Sequence, residues 1–304
     1  MMSSFYQLLF EKKQRSEISI FGFADTDSWE TDKRYPVSPR FYPASVYPNA
    51  KTAIVIGVPV ILPIIETTPS VFYNEHYRTI NAHLDSEALM LSYYLNDRKS
   101  LAMPIPRDGY AGAEALKKEP VSAFSHKHAA YHAGLGAFGR NNTLLTPEYG
   151  PRVRFTTILT SATFEELAVP DGAAKRIREM KEKRLCTECM ACARFCPAGS
   201  ISNDKEKPYP VSRIDKVKCT EYSTALGAKG ISPCGVCIKV CPIGEDRKAF
   251  SRENIQIYDE ESNEKSDGRS DEKSDGKRNG GKPKNEADDK LIQSWAHIRR
   301  YGTK

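Results

Sequence analysis

The feature that most restricts this 304-residue chain is the spacing of its eight cysteines. Cys186, Cys189 and Cys192 follow one another with two residues between, and Cys196 comes after three more, directly before Pro197. Further on, Cys219 stands alone, and Cys234, Cys237 and Cys241 close the series, again before a proline, Pro242. Close C-x2-C steps let a short loop wrap one corner of an iron–sulfur cubane with its amides turned to the sulfurs. The fourth cysteine lies too far along to close the same cube, and in two-cluster ferredoxin runs of this kind it ligates the other cluster. The spacing therefore predicts two [4Fe–4S] clusters with exchanged ligands. Cys186, Cys189, Cys192 and Cys241 hold one; Cys219, Cys234, Cys237 and Cys196 hold the other. Zinc sites favour paired C-x2-C knuckles, often with histidine. A disulfide framework belongs to small secreted chains. Two neighbouring clusters imply an electron relay.

Ahead of the cysteines the chain reads as a mixed α/β domain. Hydrophobic residues make up 39% of the sequence, enough for a core. The pattern predicts an amphipathic helix over 4–15 and strands over 18–24, 53–60 and 152–160. The second strand is apolar throughout, as a strand covered on both faces would be. A long helix is expected over 73–96, where Tyr77, Ile80, Leu84, Ala88, Leu91 and Leu95 recur every three or four positions. Two more helices follow, over 125–133 and over 172–183. Alternating strands and helices point to an α/β fold.

After Phe250 the composition changes. Glu-Lys-Ser-Asp-Gly at 264–268 recurs at 272–276 among almost no apolar side chains, so residues 251–287 read as a disordered charged linker. Leu291, Ile292, Trp295 and Ile298 then return at helical spacing, and a C-terminal helix over 288–304 is expected to dock back on the body. The first residues lack the apolar run of a signal peptide, and the longest apolar stretch, 53–65, is short and broken by Pro59 and Pro63. A soluble cytoplasmic protein with no membrane partner is the expectation. The formal charge of +6 permits an acidic partner without requiring one.

Gly134-Leu-Gly136-Ala-Phe-Gly139 matches the dinucleotide fingerprint in letters only: it follows a helix, not a strand, and lacks an acidic residue about 20 positions on. Polar groups gather round it, among them His126, Lys127, His128, His132, Arg140 and Asn141. His128 and His132, one turn apart, have the spacing to share a metal, but a solvated helix face explains them better.

The stretch 133–141, AGLGAFGRN, followed by LLTPEYG at 144–150 and by a strand, resembles the epoxyqueuosine reductase family. The lone upstream Cys219 and both cysteine runs agree with it. The resemblance spans roughly residues 15–245. It implies a nitroreductase-like corrinoid-binding domain over 1–175, akin to that of reductive dehalogenases, and a ferredoxin-like domain with two [4Fe–4S] clusters over 176–250. It further implies an oxidoreductase that passes electrons from a low-potential donor, such as ferredoxin or flavodoxin, to cobalamin or another corrinoid, with tRNA as partner. His126, Lys127, Gly134, Gly136, Arg140 and Asn141 would then surround the corrinoid. The family's acidic residue, about a dozen positions before AGLG, has no aspartate here: the sequence reads EPVSA over 119–123. Glu119, Asp108 and Tyr110 are the candidate proton donors. The family lysine before asparagine is Arg140 here. A flavin in place of the corrinoid, or an electron-transfer or reactivating protein without its own substrate, are the alternatives.

Overall fold

Side-chain alternation organises the centre of the molecule. The computed structural model describes residues 4–107, 122–203 and 214–259. Its strands are Ile20–Asp25 (β1), Thr52–Pro59 (β2), Ala102–Ile105 (β3), Ala137–Phe138 (β4), Leu144–Leu145 (β5) and Val153–Thr160 (β6). Four of them form one sheet in the order β1-β2-β6-β3, antiparallel throughout, with Ile54 opposite both Phe23 and Ile158. β4 and β5 make a separate two-stranded ribbon.

Period-two alternation divides the sheet between two apolar layers. Phe23, Ile54, Ile56 and Ile158 face helices Phe5–Gln14 and Val71–Asn96, meeting Leu9, Leu84 and Leu91. Ala53, Val55, Phe155 and Leu159 face the opposite way, toward Trp29, Phe124 and the helix His126–His132. The expectation that β2 is covered on both faces holds: Thr52 to Gly57 are all buried.

The long helix forms where its apolar stripe requires. Ser70 caps its start, its side chain accepting from the Tyr73 amide, and Ile80, Leu84, Ala88, Leu91 and Leu95 are buried. Full burial of each leucine or isoleucine is worth about 1.5–3 kcal/mol. β3 was missed because Ala102–Ile105 is four residues long and contains Pro104; it pairs only with β6, at the sheet's edge, where proline is tolerated.

The cysteine segment is built differently. It contains the helices Ala191–Arg194, Lys216–Gly227, Val236–Lys239 and Glu245–Ala249, and its buried apolar residues form two small groups, Met190/Ala193/Ile201 and Ala191/Val240/Tyr258, with Leu226 and Ile231 buried apart from them. Among the described residues no helix is long and apolar enough to cross a membrane. Residues 251–259, read from the sequence as the start of a disordered linker, instead pack on the cysteine segment, because Ile255, Ile257 and the buried Tyr258 supply an apolar face to Ala191 and Val240. The rest of that linker, the C-terminal helix and the three candidate proton donors, Asp108, Tyr110 and Glu119, lie outside the described residues.

Candidate metal centre and its seat

The eight cysteines, none disulfide-bonded, sort in space as they do not in sequence. Cys186, Cys189, Cys192 and Cys241 line one cavity together with Gly139, Arg140, Asn141 and Pro242. Burial, then the neighbouring thiolates of Cys186 and Cys189, pushes the Cys192 thiol up to about 12. Burial also takes Cys241 up to about 12, with Cys192 and Cys189 adding to it. A second set forms around Cys234, raised to about 11 by burial and by Cys219 and Cys196. Cys237 is raised well above its ordinary value, by burial first and then by Cys234, Cys192, Cys219 and Cys196. Cys192, from the first set, is thus among the charges that act on Cys237.

Such crowding disfavours bare thiolates; a cationic core at their centre reverses that preference. The backbone supports the charged form as well. Burial raises the Cys196 thiol, but donors outweigh it and leave the value below the ordinary one: the Ser200 hydroxyl and amide, and the amides of Ala198 and Ile201. The Ser200 amide lies 3.4 Å from the sulfur and its hydroxyl 3.2 Å. Amides of Ala193, Val236 and Ile243 also favour the charged forms of Cys192, Cys234 and Cys241, without offsetting their burial. Among the described residues no three Cys, His, Asp or Glu side chains converge on a single ion. In a cubane each thiolate holds a separate iron, so its sulfurs ring a box and do not meet at a point. The residues fit two [4Fe–4S] groups.

The glycine-rich turn proves to be the seat of this cysteine segment. The helix His126–His132 ends in a Schellman cap: the Leu135 amide donates to the Ala130 carbonyl (3.0 Å) and the Gly134 amide to that of Tyr131 (3.0 Å). Gly134 takes φ +68, and a Cβ there would stand 2.7 Å from Ile177 Cα on the helix Gly172–Glu182. At Gly136 a Cβ would meet the Leu145 carbonyl oxygen at 2.1 Å. Both glycines thus serve the approach of the protein's own chain. Asn141 donates to the Cys237 carbonyl (3.2 Å) while its Oδ1 accepts from the Thr143 amide and hydroxyl. Gly150, at φ +56, lies so near Ile243 that a Cβ would overlap that carbonyl. The Glu245 and Asp246 amides then donate to the carbonyls of Pro147 and Glu148.

The histidines are engaged internally. His126 contacts Thr157 Oγ1 at 2.9 Å and the Pro106 carbonyl at 3.2 Å, and burial lowers it to about 4. Lys127 donates to the Asn142 carbonyl (2.7 Å); burial and then Lys216 and Arg154 lower it to about 8. His132 stacks on Trp29 at 4.7 Å, with Nδ1 3.1 Å from both Ser28 Oγ and Lys181 Nζ. His128 Nδ1 lies 2.6 Å from Ser125 Oγ. His132 is buried, so the solvated helix face expected of this pair is not what the helix presents: Trp29 covers it.

Sequence reasoning missed the residues that bind the two regions together. Arg152 pairs with Asp246 and donates to the Val60 carbonyl (2.8 Å). Glu66 accepts from the Tyr258 hydroxyl at 2.9 Å and faces Arg247 at 3.5 Å. Thr68 donates to the Cys234 carbonyl. These partners stand far apart in sequence, and no local pattern marks them.

No protein-family model matches the chain. It is 34% identical over 126 residues to the tetrachloroethene reductive dehalogenase of Desulfitobacterium hafniense, covering 37% of this chain and 21% of that one. It is 38% identical over 132 residues to the epoxyqueuosine reductase of Listeria monocytogenes, covering 42% of this chain and 31% of the relative. Among solved structures, the catabolic reductive dehalogenase NpRdhA superposes with a TM-score of 0.50 at 17% identity, over 81% of this chain and 34% of the other. The chain thus spans between about a fifth and a third of the curated relatives it matches. It is related to the epoxyqueuosine reductases and to the reductive dehalogenases, as its AGLGAFGRN turn and cysteine runs led one to expect.

Proposed function

We propose that this chain is an iron–sulfur oxidoreductase of the epoxyqueuosine reductase type, working with a corrinoid. The observation that carries the reading is the sorting of eight cysteines into two adjoining sets of four, each drawn from both sequence groups. When bound, two [4Fe–4S] clusters supply one-electron transfer and the corrinoid a strongly reducing cobalt centre. The chain's residues do the rest. Cys186, Cys189, Cys192 and Cys241 hold the first cluster and Cys196, Cys219, Cys234 and Cys237 the second. Backbone amides stabilise the thiolates, and Asn141 orients the Cys237 turn against the α/β body.

Residues 1–175 form the corrinoid-binding, nitroreductase-like unit in this reading and 176–250 the ferredoxin-like unit, with the linker and docking helix after them. A reductive dehalogenase among the solved structures is described as B12-dependent, and an epoxyqueuosine reductase was solved with a modified tRNA stem loop. The relation to these families supports the corrinoid; the six residues assigned to its periphery lend less. His126, Lys127 and Asn141 have protein partners, Gly134 and Gly136 admit the chain itself, and Arg140 lines the first cysteine cavity. They fit a seat for the clusters better than a corrin cradle, and no step through the corrinoid is derived. Glu119, Asp108 and Tyr110 remain the proposed proton donors, a cytoplasmic ferredoxin or flavodoxin the proposed electron donor, and tRNA the proposed partner.

Anaerobic purification with iron and cobalt quantitation and a visible spectrum tests the reading. About eight irons per chain with corrin bands are expected. Flavin bands would install the flavin alternative, iron–sulfur absorption alone an electron-transfer protein, and far fewer irons after reconstitution would end the cluster reading. Turnover of epoxyqueuosine-containing tRNA then tests the substrate.

A further inference from the structure

One buried ion pair lies where the first cysteine set meets the α/β body, and the proposed chemistry does not use it. Arg247 is wholly buried and Glu66 4% exposed, so water and salt screen neither charge. Arg247 Nη1 stands 3.5 Å from Glu66 Oε1. Its Nη2 donates to the carbonyls of Ile238 (3.1 Å) and Lys239 (2.7 Å), on the turn that delivers Cys241. Tyr258 completes the group: its hydroxyl donates to Glu66 (2.9 Å) and accepts from Arg247 (3.3 Å). Burial and the Glu66 charge raise the Tyr258 pKa, so the phenol keeps the proton it donates. The guanidinium is felt at Cys241, where it opposes the rise caused by burial. A second pair, Arg140 with Glu188 at 3.7 Å, flanks the same cavity and is independent of this one.

Resting on the cluster reading above, we propose that Arg247 is a positioning residue that fixes the Cys241 turn and sets the reduction potential of the cluster held by Cys186, Cys189, Cys192 and Cys241, with Glu66 as its counterweight. Reduction adds one negative charge to that cluster. An unscreened cation nearby favours the reduced form, and an unscreened anion disfavours it. Glu66 belongs to the helix Leu62–Glu66 of the body, so the potential of this cluster depends on how the cysteine segment is docked.

The test is an EPR-monitored potentiometric titration of the full, anaerobically reconstituted chain, with dithionite as reductant, alongside iron counts. In Arg247→Met the midpoint of one cluster shifts negative while that of the other stays in place. In Glu66→Gln the same cluster shifts positive, because the Arg247 charge is no longer balanced. Tyr258→Phe keeps both charges and leaves the midpoint near that of the unsubstituted chain. Should Arg247→Met fail to fold, the positive shift in Glu66→Gln decides alone. Opposite shifts confined to one cluster support the assignment, since a merely structural role would not produce them. About eight irons with unmoved midpoints, or shifts of the same sign in both variants, would overturn this inference alone. Far fewer irons in the unsubstituted chain would overturn the cluster reading and this inference with it.

Discussion

The α/β body and the cysteine segment are stabilised by different means. In the body, the sheet is buried on both faces beneath continuous apolar layers, from Leu9 and Leu84 on one side to Trp29 and Phe124 on the other. The cysteine segment buries two small apolar groups and leaves most of its cysteines half-buried. What fastens it is polar: Arg152 to Asp246, Arg247 to Glu66, Asn141 to the Cys237 carbonyl. Non-directional burial lets the body select its own fold. The segment acquires its shape from directional ties to the body and, on the proposed reading, from the clusters its cysteines would hold.

Five substitutions and a pH comparison test this contrast, and the four that address the two regions directly run from the largest expected effect to the smallest. Replacing Cys237 by serine removes one proposed ligand of the second cluster, and about four of the irons are expected to leave with it. Circular dichroism of the sheet and helices should stay nearly unchanged; if the whole protein melts with the cluster, the body is not self-sufficient. Leu84→Ala reverses the experiment. It empties a fully buried position in the body and should cost about 2–5 kcal/mol in urea unfolding, with iron content intact under native conditions. At the seam, Gly150→Ala forces an L-residue into φ +56 and a methyl into the Ile243 carbonyl. A loss of about 1–3 kcal/mol is expected, read as faster proteolysis within 184–258 than within the body. Asn141→Ala leaves the Cys237 carbonyl unpaired, which should cost about 1–3 kcal/mol, at the low end, and loosen the same segment.

A comparison across pH addresses the acid sensitivity of the body. Burial lowers His126 to about 4 and His128 and His132 to about 3, against an ordinary value near 6.5. Below about pH 6.5 the unfolded chain binds protons that the folded chain refuses, so stability is full above that point and falls toward pH 4. Urea midpoints at pH 7 and pH 5 measure the drop. His132→Phe, which keeps a ring against Trp29, should flatten it; an unchanged slope would remove that residue from the account.

The body was largely legible in the sequence because its signals are local and periodic. The stripe from Tyr77 to Leu95 repeats with the helix turn, and β2 is apolar on both sides, so both elements appear within two residues of their expected bounds. The cysteines were legible for another reason: the spacing reading groups Cys241 with Cys186, Cys189 and Cys192, and these four line one cavity. The glycine turn was legible as a tight, non-dinucleotide turn, but not as a docking seat. Nothing near Gly150 announces that Ile243 will press against it, and nothing near Glu66 announces Arg247 or Tyr258. Pairings across such separations are decided by the packed whole.

Cys241 is the last cysteine the chain contains, yet it walls the chamber begun by Cys186. During synthesis that chamber stays open on one side until Cys241 has emerged. By then the sheet, whose final strand ends at Thr160, has every residue it needs. If the chamber holds the proposed cluster, its assembly is a late event in the life of the molecule, made onto a platform whose sheet is already complete.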